Sequence, residues 1–82
     1  MKARVFITLK NGVLDPQGKA IEGALGSLGF AGVNGVRQGK YFELEIAAAT
    51  ADEARKIATE VSQKVLANPV IESFRVDIDQ KA

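Results

Sequence analysis

Polar and apolar residues alternate over residues 3–9. Ala3, Val5, Ile7 and Leu9 fall on one side, and Arg4, Thr8 and Lys10 on the other. That period of two predicts a strand with one buried face, and Phe6, on the polar side, is not fully wet. Lys10–Leu14 reads as a turn. Asp15-Pro16 then predicts a helix start, because the carboxylate accepts from free first-turn amides and proline needs no donor there. Ala20, Ile21, Ala24, Leu25 and Leu28 recur at helical spacing, and Gly29 suits a left-handed stop. A glycine-rich connection over residues 30–35 leads into an extended run from Val36 to Ala47. There Phe42, Leu44 and Ile46 alternate with Tyr41, Glu43 and Glu45. Gly39 interrupts this run and suits a bulge in one long bent strand or a hairpin turn; the bent strand is favoured. Thr50 with Glu53 predicts a capping box before a second helix, whose apolar stripe is Ala54, Ile57, Ala58, Val61, Val65 and Leu66. Asn68-Pro69 ends it. Residues 70–79 read as a last strand with Val70, Phe74, Val76 and Ile78 inward.

Strands alternating with helices over short connections predict a single α+β domain over residues 1–82. The expected architecture is split βαβ-like, a ferredoxin-like relative. It has three or four antiparallel strands, two helices on one face, and a second strand that is long and bent at Gly39. The other sheet face would be bare, with Phe6 and Tyr41 awaiting a partner. Gly18, Gly23 and Gly26 lie inside the first helix, where each costs about 1 kcal/mol relative to alanine. Close approach of another backbone would offset that cost. For Gly18, in the first turn, approach by another chain would explain it.

Composition narrows the chemistry. The chain has 82 residues, and twelve of its hydrophobic residues are alanine. A domain of this size hides only about 60% of its unfolded surface, so its own core is modest. Cysteine and histidine are both absent. Disulfides, thiolate zinc sites and histidine-dependent triads are therefore excluded, and a self-contained enzyme is disfavoured. Burial against a partner is the remaining route to stability, so a dimer or higher oligomer is expected. A net charge of +1 gives no strong field for nucleic acid or anionic membrane. With no long apolar run and an alternating start, the expectation is a soluble, cytoplasmic protein with neither nucleic acid nor membrane as partner.

The usual phosphate-cradling glycine motifs are missing. Val36-Arg37-Gln38-Gly39-Lys40 is superficially similar to the anion loop of acylphosphatases, but those enzymes carry it between the first strand and first helix. Glu43 and Glu45 share a strand face, as do Asp77 and Asp79, and both pairs read as solvated charges rather than acid–base pairs. Lys10, Lys19, Arg37 and Lys40 could meet a phosphate or an acidic partner, although lone surface cations are the commoner case. No metal site and no catalytic residue are assigned.

Three segments resemble one family. They are Leu9-Lys10-Asn11-Gly12-Val13-Leu14-Asp15-Pro16-Gln17-Gly18, Gly39-Lys40-Tyr41 and Leu66-Ala67-Asn68-Pro69-Val70-Ile71-Glu72. In order and spacing they are similar to the PurS family, the small subunit of phosphoribosylformylglycinamidine synthase in de novo purine biosynthesis. Ser62 and Val65 stand where relatives often have Cys and Leu. The resemblance implies a non-catalytic dimeric subunit that bridges a glutaminase subunit and an ATP-dependent synthetase subunit and supports ammonia transfer to formylglycinamide ribonucleotide. It implies no cofactor in this chain, ATP and magnesium being used by the large subunit. The residues it nominates for subunit contacts are Lys10, Asp15, Gln17, Gly18, Arg37, Lys40, Tyr41 and Asn68. Two other classes stay open: an ACT-like domain sensing small molecules, and a single-stranded RNA binder stacking bases on Phe6 and Tyr41.

Overall fold

A computed structural model describes residues 1–79; residues 80–82 of the expected domain lie outside the described residues. Its elements are β1 (Lys2–Leu9), α1 (Pro16–Ser27), β2 (Gly39–Glu45), α2 (Ala51–Val61) and β3 (Glu72–Asp79). Between α2 and β3 the chain makes a wide π-helical turn over Ser62–Leu66. The strands form one antiparallel sheet in the order β2-β1-β3. The fold is therefore α+β, as the alternation predicts.

The alternating pattern of β1 sets the core. Ala3, Val5 and Ile7 are sealed beneath α2, and Val5 stands opposite both Phe42 and Val76. On the other face Phe6 lies opposite Tyr41 and Arg75. Thr50 caps α2, its hydroxyl accepting from the Glu53 amide at 3.2 Å. Ala54, Ala58 and Ser62 recur every fourth residue, and all three are 0% exposed against the sheet. Small side chains let the helix settle close, at the expense of the apolar area each buries. Arg55 adds a tie by donating to the Val76 carbonyl at 2.8 Å.

Four expectations need correcting. The strand predicted from Val36 begins only at Gly39, because Gln38 and Arg37 are drawn off the sheet edge by Asp15 and by Leu9 and Asn11. Gly39 marks the start of the strand rather than a bend within it. A Cβ there would lie 2.4 Å from the Ile7 carbonyl oxygen, so only glycine permits this pairing. The last strand begins at Glu72, not residue 70. Asn68 holds the preceding turn, its carbonyl accepting from Ile71 and Glu72 and its side chain from Val70, and Val70 is left exposed. Val65 is also off the core stripe, at 75% exposed. The π turn, closed by the Ala67 amide on the Ser62 carbonyl, inserts an extra residue and rotates Val65 outward.

The fourth correction concerns α1. It starts and stops as read, with Asp15 as cap and Gly29 at φ +89°. It does not share the sheet face with α2. Gly18 is its only buried residue, and Leu28, at the end of its apolar stripe, is 73% exposed. The Cα radius of gyration is 16.0 Å, with extents of 50 × 29 × 14 Å. A compact domain of this length would measure about 12 Å. Helical periodicity specifies an apolar face, and the described residues leave most of it open, with only Leu25 half-buried.

Candidate interaction site at one end of the sheet

β1 ends where β2 and β3 begin, so three connections meet at one end of the sheet: residues 10–15, 35–38 and 67–71. Lys10 fastens two of them. Its amide donates to the Ile71 carbonyl at 2.8 Å and its ammonium to the Pro69 carbonyl at 2.7 Å. Arg37 fastens the third, donating to the Leu9 carbonyl and to Asn11 Oδ1. Asp15 spans two elements at once: Oδ1 accepts from the Gly18 amide and Oδ2 from the Gln38 amide, each at 2.9 Å. These two amides, Gln38 foremost, hold the Asp15 carboxyl below the usual carboxylate range, with a smaller contribution from Arg37.

Lys40 and Glu72 complete the end. Lys40 Nζ lies 3.3 Å from Glu72 Oε2 and donates to the Leu66 carbonyl at 3.3 Å. The Asn68 amide donates to Glu72 at 2.7 Å, and that bond, more than Lys40, lowers the Glu72 carboxyl. Asp15, Gln17, Gln38, Lys40 and Glu72 line an open recess of about 220 Å³.

Seven of the eight nominated residues thus come together: Lys10, Asp15, Gln17, Gly18, Arg37, Lys40 and Asn68. Tyr41 does not; it lies on the opposite face of the sheet, its ring 5.1 Å from that of Phe6. Gly18 is explained within the chain, since a Cβ there would sit 2.5 Å from the Val36 carbonyl oxygen. No second chain is required at that position. Sequence reasoning passed over Gln38 and Glu72. Glu72 carried a usable signal, because it shares the parity of inward-facing Phe74, Val76 and Ile78, and a carboxylate at that place needs a partner.

The outer sheet face is occupied by its own charges. Lys2 pairs with Glu43 at 3.2 Å, Arg4 with Asp79 at 3.0 Å and Arg75 with Asp77 at 3.5 Å. Arg4 is held above its ordinary range chiefly by Asp79. Arg75 also stacks over Phe6, 4.4 Å from the ring centre. Among the described residues no group of three or more His, Cys, Asp or Glu could hold a metal ion, and no helix is long and apolar enough to cross a membrane. The resemblance to the acylphosphatase loop also ends here, since Arg37 is spent on its neighbours' oxygens.

An open sheet with one helix packed, another projecting, and a heavily cross-braced loop end defines a small α+β module of the interaction class. The chain belongs to the PurS family, described as phosphoribosylformylglycinamidine (FGAM) synthase, whose model matches residues 2–80. It is 42% identical over 79 residues to the phosphoribosylformylglycinamidine synthase subunit PurS of Bacillus subtilis, covering 96% of this chain and 93% of that one. The Mycobacterium leprae subunit PurS is 45% identical over 75 residues, covering 92% and 91%. Among solved structures, a chain of the PurLQS structure from Thermotoga maritima superposes with a TM-score of 0.85 at 30% identity, covering 93% of each chain.

Proposed function

We propose that this chain is the non-catalytic small subunit of FGAM synthase, bridging the glutaminase and synthetase subunits so that ammonia released by one reaches formylglycinamide ribonucleotide on the other. The observation that carries this reading is the near full-length likeness to a chain of PurLQS, an assembly whose letters name three components. The chain's composition agrees with it. Without histidine or cysteine, the chain lacks the commonest general base and the thiol nucleophile of amide hydrolysis. ATP and magnesium then belong to the synthetase subunit, and the assembly works in the cytoplasm. The test is reconstitution. Glutamine-dependent formation of the amidine by the two larger subunits should depend on adding this chain, and this chain alone should turn over neither glutamine nor ATP. Full glutamine-dependent activity without it would refute the bridging role.

The working form in this reading is at least a dimer. The support is α1, whose stripe the described residues leave largely open, Ile21 and Leu28 being exposed and Leu25 half-buried. A second copy supplies that cover by seating the helix over its own sheet, beside α2. The free edges of β2 and β3 favour association as well.

A further inference from the structure

We propose that Asn34-Gly35, in the connection from α1 to β2, is a site of spontaneous deamidation that ages this chain to a mixture of isoaspartate and aspartate at position 34. The chain has a second Asn-Gly pair, Asn11-Gly12, and the fold holds that one back. The reaction is independent of the subunit role proposed above.

Its only co-reactant is water. The Gly35 backbone nitrogen gives up its proton to base and attacks Cγ of Asn34. The N–Cγ bond forms, the Cγ–Nδ2 bond breaks, and Nδ2 leaves as ammonia after taking a proton from solvent. Water then opens the five-membered imide at either carbonyl. Breaking the new N–Cγ bond gives aspartate. Breaking the original bond between the Asn34 carbonyl carbon and the Gly35 nitrogen gives isoaspartate, with the main chain rerouted through the side chain and longer by a methylene. Nothing is oxidised or reduced. Glycine in second place favours the closure, because it has no Cβ to obstruct the ring and leaves the backbone free to turn into it.

The structure separates the two pairs. Asn34 and Gly35 are exposed, and among the described residues neither the Asn34 side chain nor the Gly35 amide has a hydrogen-bond partner. Nothing lies within 4 Å of the place where a Cβ on Gly35 would stand. Both residues border an open recess of about 440 Å³, so water reaches them freely. Ring closure there breaks no bond of the fold and meets no wall. Asn11 is exposed as well, but it is tied on both sides. Its Oδ1 accepts from Arg37 Nη1 at 3.1 Å. Gly12, at φ +86°, lies inside a turn closed by the Val13 amide on the Lys10 carbonyl at 3.1 Å. Lys10 in turn anchors that turn to the carbonyls of Pro69 and Ile71. Bringing Cγ of Asn11 onto the Gly12 nitrogen gives up a bond to a charged donor and strains an anchored turn.

The full chain, incubated in mildly alkaline buffer, is the material for the test. Its tryptic peptides Asn11–Lys19 and Ala20–Arg37 are followed by mass spectrometry. Ala20–Arg37 should exchange an amide for an acid, and isoaspartyl methyltransferase should methylate it. Its conversion should run about tenfold faster than that of Asn11–Lys19, the factor that one hydrogen bond to a charged group sets. The intact chain should move in isoelectric focusing as its net charge falls from +1 to zero. In urea, where neither restraint on Asn11 survives, the two rates should converge. Gly35→Ala fits the open space at that residue, so it should slow conversion at position 34 while the melting temperature stays as in wild type. Conversion of Asn11 as fast as that of Asn34 in the folded chain overturns the proposal. So does an intact Asn34 after the chain in urea has converted, or a difference between the two sites that persists in urea.

Discussion

Asp15 joins a helix cap to a sheet-edge loop through two oxygens of one carboxylate. Asp15→Ala leaves the Gly18 and Gln38 amides without their acceptor and should lower the melting temperature by on the order of 5 °C. Asp15→Asn, which keeps one oxygen acceptor, should lose less. The same carboxylate fixes the sign of a pH effect. The folded values of Asp15 and Glu72 lie below the ordinary carboxylate range, so the unfolded chain binds more protons in acid. Their contribution is complete above the unfolded value of about 4 and disappears as pH falls through the lower folded values. Thermal melts should hold steady above about pH 5 and decline below it, less steeply in Asp15→Asn than in wild type. At this scale the sequence was informative about Asp15 as a cap, since Asp-Pro before an apolar stripe is a local signal. It was silent on the second bond to Gln38, which depends on a loop more than twenty residues away.

At the level of elements, alternation located β1 and the inner face of β2, and the Thr50–Glu53 pair located α2. What periodicity could not supply was a change of helical pitch. The predicted stripe runs through Val61 and Val65, whereas the observed one runs Ala54, Ala58, Ser62 before the π turn interrupts it. A small polar residue at helical spacing from two alanines is a weak cue for the core. It becomes persuasive only once the Ser62 hydroxyl is seen donating to the Ala58 carbonyl at 2.7 Å. Two substitutions separate the readings in urea denaturation. Ser62→Leu forces bulk into a sealed site and should cost about 2 kcal/mol. Val65→Ser, at an exposed position, should change stability by less than about 0.5 kcal/mol in the isolated chain. The reverse order would mean that the regular stripe, with Val65 inward, is the true packing.

At the scale of the whole molecule the decisive feature is α1. Its boundaries were legible from Asp15, Pro16 and Gly29, but its placement was not, because an apolar stripe does not say whose surface covers it. A radius of gyration of 16.0 Å, against about 12 Å for a compact domain of this length, records a helix held away from its own sheet. The pairing proposed for α1, where Leu28 is 73% exposed, predicts that the isolated chain at micromolar concentration sediments well above its 8.7 kDa monomer mass. Leu28→Lys makes the test specific. A cation near a helix C-terminus suits the exposed carbonyls there, so the helix itself is not weakened. The substitution places a charge in the stripe that a second copy would cover, and the sedimentation mass should fall toward 8.7 kDa while the circular dichroism of the chain is retained. An unchanged mass in Leu28→Lys would show that association does not run through this face of α1, and a monomeric wild type would show that the chain waits for the larger subunits instead.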